Sequence, residues 1–182
     1  MSTITTFSGE VFNPLSPDTQ KIKIEDIAHS LSLLCRANGH FVQFFSVAQH
    51  AIHCAQEAAA RGFNPKVQLA CLLHDASESY LSDLTRPIKK HLPLYLEAEA
   101  QLQNTIYHKY LPAPLTLEEQ AQVQQIDDDM LEGEFAVLLK KRTNGRAVTL
   151  QTSPSYGFEA FDVVENKFLT LFSALLNAQA QE

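Results

Sequence analysis

Apolar positions recur along most of this chain at intervals of three and four, the signature of helices with one buried face. Ile24, Ile27, Leu31 and Leu34 predict a first helix over residues 24 to about 36, ended by Asn38-Gly39. Ser46-Val47-Ala48-Gln49 reads as a capping box that opens a second helix, to about residue 60. Its apolar residues are Val47, Ala48, Ala51, Ile52 and Ala55, while His50 and His53 project from a different face. Gly62 stops it. Asn64 at the cap and Pro65 at the first helical position open a third helix. That helix carries a run (Val67, Leu69, Ala70, Cys71, Leu72, Leu73) apolar enough to be buried.

The segment 85–93 is basic and predicts a turn or short helix; a further helix covers about 94–110, with Leu102 and Ile106 facing inward. Leu111-Pro112-Ala113-Pro114 breaks the pattern, and Thr116-Leu117-Glu118-Glu119 is a second capping box, for a helix to about residue 140. Residues 143–155, with Asn144-Gly145 and Pro154, predict a turn or mobile loop. The last helix, about 158–176, places Phe161, Val164, Phe168 and Leu171 on one face. Before residue 20 there is little periodicity, which predicts an extended arm with a short strand near residues 3–7. The expected fold is all-α: an arm over residues 1–21, then one compact helical bundle over 22–182 with about six main helices.

Against this pattern some polar residues stand out. His74-Asp75 follows directly on the apolar run. Burying an imidazole and a carboxylate is unfavourable unless something offsets their desolvation. Local hydrogen bonds are one solution and a divalent cation is another. Nitrogen and oxygen donors together suit a borderline or hard ion such as Mn, Co, Zn or Fe. Glu78 lies four residues after His74, on the same helical face, within reach of a water or substrate beside such an ion. Asp127-Asp128-Asp129 falls inside a predicted helix, where three adjacent acids repel one another and are poor helix formers, so one of them has another task. His50, His74, Asp75 and one of these acids would make a mixed site with open positions for water or phosphate oxygens.

The order H…HD…D resembles the HD-domain metal-dependent phosphohydrolase superfamily. Ser46-Val47-Ala48-Gln49-His50 is similar to its S-V-A-E/Q-H segment. His74-Asp75-Ala76-Ser77-Glu78, then Asp83-Leu84, then Pro87-Ile88-Lys89 resembles the H-D-A-S/A-E…D-L/I-x-x-P-x-K run of its bacterial and phage 5′-deoxynucleotidase-like branch. Ile126-Asp127, Met130-Leu131 and Glu134 resemble that branch's A-D-x-x-M/L-L-x-x-E ending. The likeness spans about residues 22–140.

The resemblance implies one divalent metal ion (Co, Mn, Zn, Fe, Ni or Mg) held by His50, His74, Asp75 and Asp127, with Asp128 and Asp129 as exposed helix acids. His53 is the rival of His50. The activity implied is hydrolysis of a nucleotide, most closely a deoxyribonucleoside 5′-monophosphate, with Glu78 or Asp83 moving protons. A deoxynucleoside triphosphate triphosphohydrolase is the alternative enzyme, and a non-catalytic nucleotide-binding module the alternative of another class. Arg36 and His40, in Arg36-Ala37-Asn38-Gly39-His40, and Lys89 are the expected substrate contacts, with Arg86 and Lys90 solvated. Phe41, Phe44 and Phe45 would stack on a base or pack in the core. The chain departs from the branch at Arg86, where a small residue or proline is frequent, and at Ser82, where glycine usually precedes the aspartate. Both bear on substrate identity.

Composition narrows the partners. In 182 residues, 45% hydrophobic and 19% charged, the net charge of −7 argues against a nucleic-acid polymer or an anionic membrane. It allows a small phosphorylated substrate, because a metal and a few cations reverse the field locally. Cys35, Cys54 and Cys71 have no metal-ligand spacing and read as buried thiols of a cytoplasmic protein. The first dozen residues do not form a signal peptide, and no stretch approaches the ~18 apolar residues of a membrane span. A homo-oligomer, dimer or higher, is expected.

Overall fold

The capping box before the second helix is formed: Ser46 Oγ accepts from the Gln49 backbone N–H (3.1 Å), and Gln49 Oε1 accepts from the Ser46 N–H (3.1 Å). The same reciprocal pair forms at Thr116 and Glu119, and Asn64 caps the helix between them. These details belong to a computed structural model that describes residues 3–141 and 145–179.

The chain is all-α. Its helices are α1 (Ile24–Leu33), α2 (Val47–Ala60), α3 (Pro65–Leu73), α4 (Glu78–Leu81), α5 (Arg86–Lys89), α6 (Pro93–Tyr110), α7 (Leu117–Leu138) and α8 (Phe161–Gln179). Among the described residues, six of these helices have nine residues or more. Two short strands, β1 (Ile4–Thr5) and β2 (Val11–Phe12), pair antiparallel in the arm. The arm is therefore a hairpin, and the second strand fastens it, because Phe12 is fully buried in the main core.

Helix α3 is buried at Val67 and from Leu69 to Leu73, and it packs against α2, α6, α7 and α8. A helix apolar all round belongs in the middle of a bundle, and α3 delivers His74 at its C-terminus into that middle. Gln103 of α6 fixes the corner: its Nε2 donates to Leu73 O (2.7 Å), and its Oε1 accepts from Ser77 N (3.1 Å). A carbonyl left open by the helix end is thereby satisfied.

Two segments differ from expectation. The first helix stops at Leu33, not near residue 36. Leu34 is extended, Cys35 bridges Ser46, and the chain then turns through Ala37 (φ 53°) and Asn38 (φ 51°). The pairing with the segment before α2 competes with the helix and wins, and the turn sends Arg36 inward, where it is buried.

The segment before α8 is a strap fastened to the bundle, not a mobile loop, although Thr143 and Asn144 of the expected turn lie outside the described residues. Buried Glu57 accepts from Gln151 N, Thr152 N and Thr152 Oγ1 (2.9, 2.9 and 2.6 Å). Gln49 donates to Gly157 O and Gln43 to Tyr156 O. Gly133 lies beneath it, and a Cβ there would stand 2.8 Å from the Tyr156 hydroxyl, so a larger residue would make that side chain shift. Helix α8 starts at Phe161, once the strap ends. No helix among the described residues is long and apolar enough to cross a membrane.

Candidate metal centre

His50 comes from α2, His74 from the end of α3, Asp75 from the turn after it and Asp127 from α7. The bundle brings all four together. His50 Nε2 stands 3.2 Å from His74 Nε2 and 3.1 Å from Asp127 Oδ1. His74 Nε2 is 3.2 Å from Asp75 Oδ2 and 3.6 Å from Asp127 Oδ1, and Asp75 Oδ2 is 3.9 Å from His50 Nε2.

Each ring is oriented by its other nitrogen. His50 Nδ1 donates to Glu134 Oε1 at 2.6 Å, inside a fully buried pair. His74 Nδ1 donates to the Cys71 carbonyl at 2.7 Å. A neutral ring so bonded presents a bare lone pair at Nε2. Two such lone pairs 3.2 Å apart, beside two carboxylates, repel one another unless a positive species lies between them. Either the rings take up extra protons or a cation binds. Without a cation, burial opposes charge on His74, but Asp75 and Asp127 outweigh it and push its pKa well up. Burial likewise opposes ionisation of Asp127 and Asp75, and the two rings hold both acids well below the ordinary carboxylate range. The donor set fits a metal: imidazole nitrogens with their partners in place, and carboxylates to match the charge.

A third group joins the two rings. Cys54 Sγ, His50 and His74 form a cluster whose ligand atoms lie within 4.8 Å of one another, one that could hold a metal ion. The cysteines are free thiols, and Cys54 and Cys71 are buried as expected, but the absence of a spacing signal did not keep Cys54 from the site. Its i+4 relation to His50 was the available clue.

Asp75 and Asp127 line a cleft of about 550 Å³ together with Arg36, His40, Glu78, Asp83, Arg86 and Lys89, and with an apolar wall of Leu131, Phe135 and Leu139. Every expected catalytic and substrate-binding residue is therefore in one cleft. Arg36 donates from Nε to Glu134 (2.9 Å) and from Nη1 to Asp75 (3.4 Å). Lys89 bridges Glu99 (2.6 Å) and Glu78 (3.3 Å). His40 is exposed at the rim.

Glu78 is buried and its Oε2 has no hydrogen-bond partner among the described residues. Burial, then the charges of Asp75 and Asp83, drive its pKa well up. Asp83 is raised too, first by burial, and it accepts from the Ala37 N–H.

Several expectations need correction. Asp129 is not an exposed acid: it is buried, paired with Arg61 (3.0 Å) and Arg146. Arg86 is not merely solvated, since its guanidinium spans Asp127 (2.5 Å) and Asp128 (2.6 Å). Phe41 and Phe45 are buried in a small second core with Leu138, which leaves Phe44 alone as a half-buried ring among the three. His53 stays outside the centre. It packs against Phe45 and Tyr156 and lines a separate, larger cavity of about 770 Å³ under the strap, where no cluster of metal donors converges among the described residues. Glu134, quoted above only as part of a motif, is the residue that meets both His50 and Arg36.

No family model matches the chain. It is similar to the uncharacterized protein YfdR of Escherichia coli, at 41% identity over 60% of this chain and 59% of that protein. It is also similar to an uncharacterized protein of Rhodobacter capsulatus, at 35% identity over 59% of this chain and 60% of that one. The chain thus spans about three-fifths of the length of the curated relatives it matches.

Proposed function

We propose that this chain is an HD-type metal-dependent phosphohydrolase that hydrolyses a deoxyribonucleoside 5′-monophosphate to the nucleoside and phosphate. One observation carries the reading: two imidazole nitrogens and two carboxylate oxygens converge beneath an open cleft that also holds three cationic side chains and a buried carboxyl, Glu78, with one of its oxygens unpartnered among the described residues. The sequence motifs suggest the reaction class, and the convergence of these groups in one cleft supports it.

His50, His74, Asp75 and Asp127 would hold the ion. When bound, it supplies Lewis acidity, lowering the pKa of a coordinated water and drawing charge from a phosphoryl oxygen. The rest falls to the protein. Glu134 and the Cys71 carbonyl keep the two rings turned with Nε2 inward. Arg36, Arg86 and Lys89 line the cleft and balance phosphate charge. Glu78, whose pKa burial and the charges of Asp75 and Asp83 push up, would give a proton to the departing sugar oxygen. Asp83 in the same cleft is the next candidate for that task. Leu131, Phe135 and Leu139 form the wall against which sugar or base would rest.

The test is one panel of purified protein with each of Co, Mn, Zn, Fe, Ni and Mg against the common nucleoside mono- and triphosphates. Inorganic phosphate from monophosphates, abolished by a chelator, is the expected result. Tripolyphosphate from triphosphates would replace the reading with a triphosphohydrolase. Nucleotide binding without turnover under any metal would leave only a binding module.

A further inference from the structure

Each ring of the proposed centre is held by the nitrogen turned away from it, His50 by Glu134 and His74 by the Cys71 carbonyl. Asp127 is held in the same way. Its Oδ1 stands 3.1 and 3.6 Å from the two Nε2 atoms, while its Oδ2 accepts from Arg86 Nη2 at 2.5 Å. Arg86 Nη1 donates to Asp128 Oδ1 at 2.6 Å, so the guanidinium bridges two neighbouring acids of α7. A planar fork suits two such acceptors better than an ammonium does. This division of the two oxygens sets Asp127 apart from Asp75. There the Arg36 guanidinium approaches Oδ2, the same oxygen that faces His74.

The place of Arg86 is set by these contacts and not by packing. It opens α5, a helix in which no residue is buried. The far end of that helix is tied down by Lys89, which bridges Glu99 and Glu78. Half-exposed ion pairs contribute little to stability, so the consequence of this one lies at the carboxylate it holds. Two effects compete there. A cation beside a ligand repels an incoming ion, but solvent and salt reach half-exposed Arg86 and screen that repulsion. A carboxylate that already points inward needs no further ordering when the ion arrives, and losing such an outer partner costs about 10–100-fold in metal affinity. The ordering effect is the larger of the two.

From this geometry we infer that Arg86 is a positioning residue for the metal, tying down Asp127 Oδ2 so that Asp127 ligates through Oδ1 alone. This role rests on the proposed metal centre and deepens it by naming the residue that sets how one ligand binds. It also gives a use to a side chain at which the chain departs from the family it resembles. A guanidinium has N–H donors to spare beyond the two engaged here, so the same side chain can still meet a phosphate in the cleft it lines.

The test is metal affinity measured without substrate. Chelator-stripped protein is titrated with zinc or cobalt(II) by calorimetry in about 0.15 M salt, with no nucleotide or phosphate present. Arg86→Met keeps the stem and removes the fork. Its metal affinity should fall by about 10–100-fold, while its melting temperature in chelator stays close to that of the wild type. Arg86→Lys, which still offers a donor to Oδ2, should recover part of the loss. Unchanged affinity in Arg86→Met would overturn the inference and leave Arg86 to substrate phosphate alone. Raised affinity would overturn it too, by showing that repulsion between guanidinium and ion outweighs the ordering of Asp127. Either result leaves the His–Asp centre standing, because the wild type still binds. Failure of the wild type to bind either ion would remove the centre and the inference together.

Discussion

Glu134 Oε1 lies 2.6 Å from His50 Nδ1, and the other oxygen of the same carboxylate accepts from Arg36 Nε at 2.9 Å. One fully buried acid on α7 thus fixes the tautomer of a ring on α2 and holds a guanidinium from the turn before it. Burial opposes its charge, but Arg36 and His50 outweigh that and keep its pKa below the ordinary value. The aim of His50 toward the centre depends on this contact.

Glu134→Gln keeps the shape but removes the charge. We expect metal affinity to fall by about 10–100-fold, the usual effect of losing a partner behind a ligating histidine. Metal titration by calorimetry measures it, and turnover should return at saturating metal. Unchanged affinity would mean that His50 is oriented by packing alone.

The three adjacent acids should separate cleanly. Asp127→Asn should remove metal binding, because its Oδ1 meets both rings. Asp128→Asn should change little, since that residue pairs with half-exposed Arg86 and accepts from exposed Gln124, away from both rings. Asp129→Asn should leave metal bound but cost roughly 1–3 kcal/mol of stability by leaving the partly buried Arg61 short of a charged acceptor. Equal loss of metal in all three would turn the cluster into a diffuse field.

The elements were legible in the sequence because their signals are local. Two capping boxes, the Asn64-Pro65 start and the i, i+3, i+4 faces each lie within a few residues of what they determine. The four residues proposed as ligands could be fixed only through motifs, since nothing in spacing alone places α7 against α2. Asp129, Arg86 and Glu134 were misjudged or missed for the same reason. Their charged partners lie 17 to 98 residues away in the chain. The strap was misjudged because its anchor, Glu57, sits on α2 with no pattern to mark it as a receptor for residues 151 and 152.

Glu78→Gln tests chemistry apart from binding. Its buried carboxyl touches Lys89 but none of the four proposed ligands within hydrogen-bonding distance. If it transfers the proton, turnover should drop by roughly 10²–10⁴ with metal and nucleotide affinity nearly intact. Recovery of turnover on adding metal would show that Glu78 supports a ligand and would pass the proton-transfer role to Asp83.

His53 makes a prediction about pH and stability. Its ring is buried against Phe45 and Tyr156, and its Nδ1 has no partner among the described residues. Burial holds its pKa down at about 4, against about 6.5 in an unfolded chain. Between those values the unfolded chain binds the extra proton and the folded one does not, so stability increases with pH. The contribution is complete above about pH 6.5 and is lost on acidification at up to about 1.4 kcal/mol per pH unit until the folded pKa is reached. His53→Phe removes the titrating group and keeps an aromatic ring in an aromatic pocket. Thermal melts in chelator, so that proton release on metal binding does not add its own slope, should give a flatter acid limb for the variant between pH 6.5 and 4 and parallel curves above pH 7. Carboxylates titrate in both proteins and cancel in the difference. Curves parallel over the whole range would mean that water or a counter-charge already reaches the ring under the strap. The same variant should bind metal as the wild type does, whereas His50→Ala should not, and a reversal of those two results would exchange the two histidines.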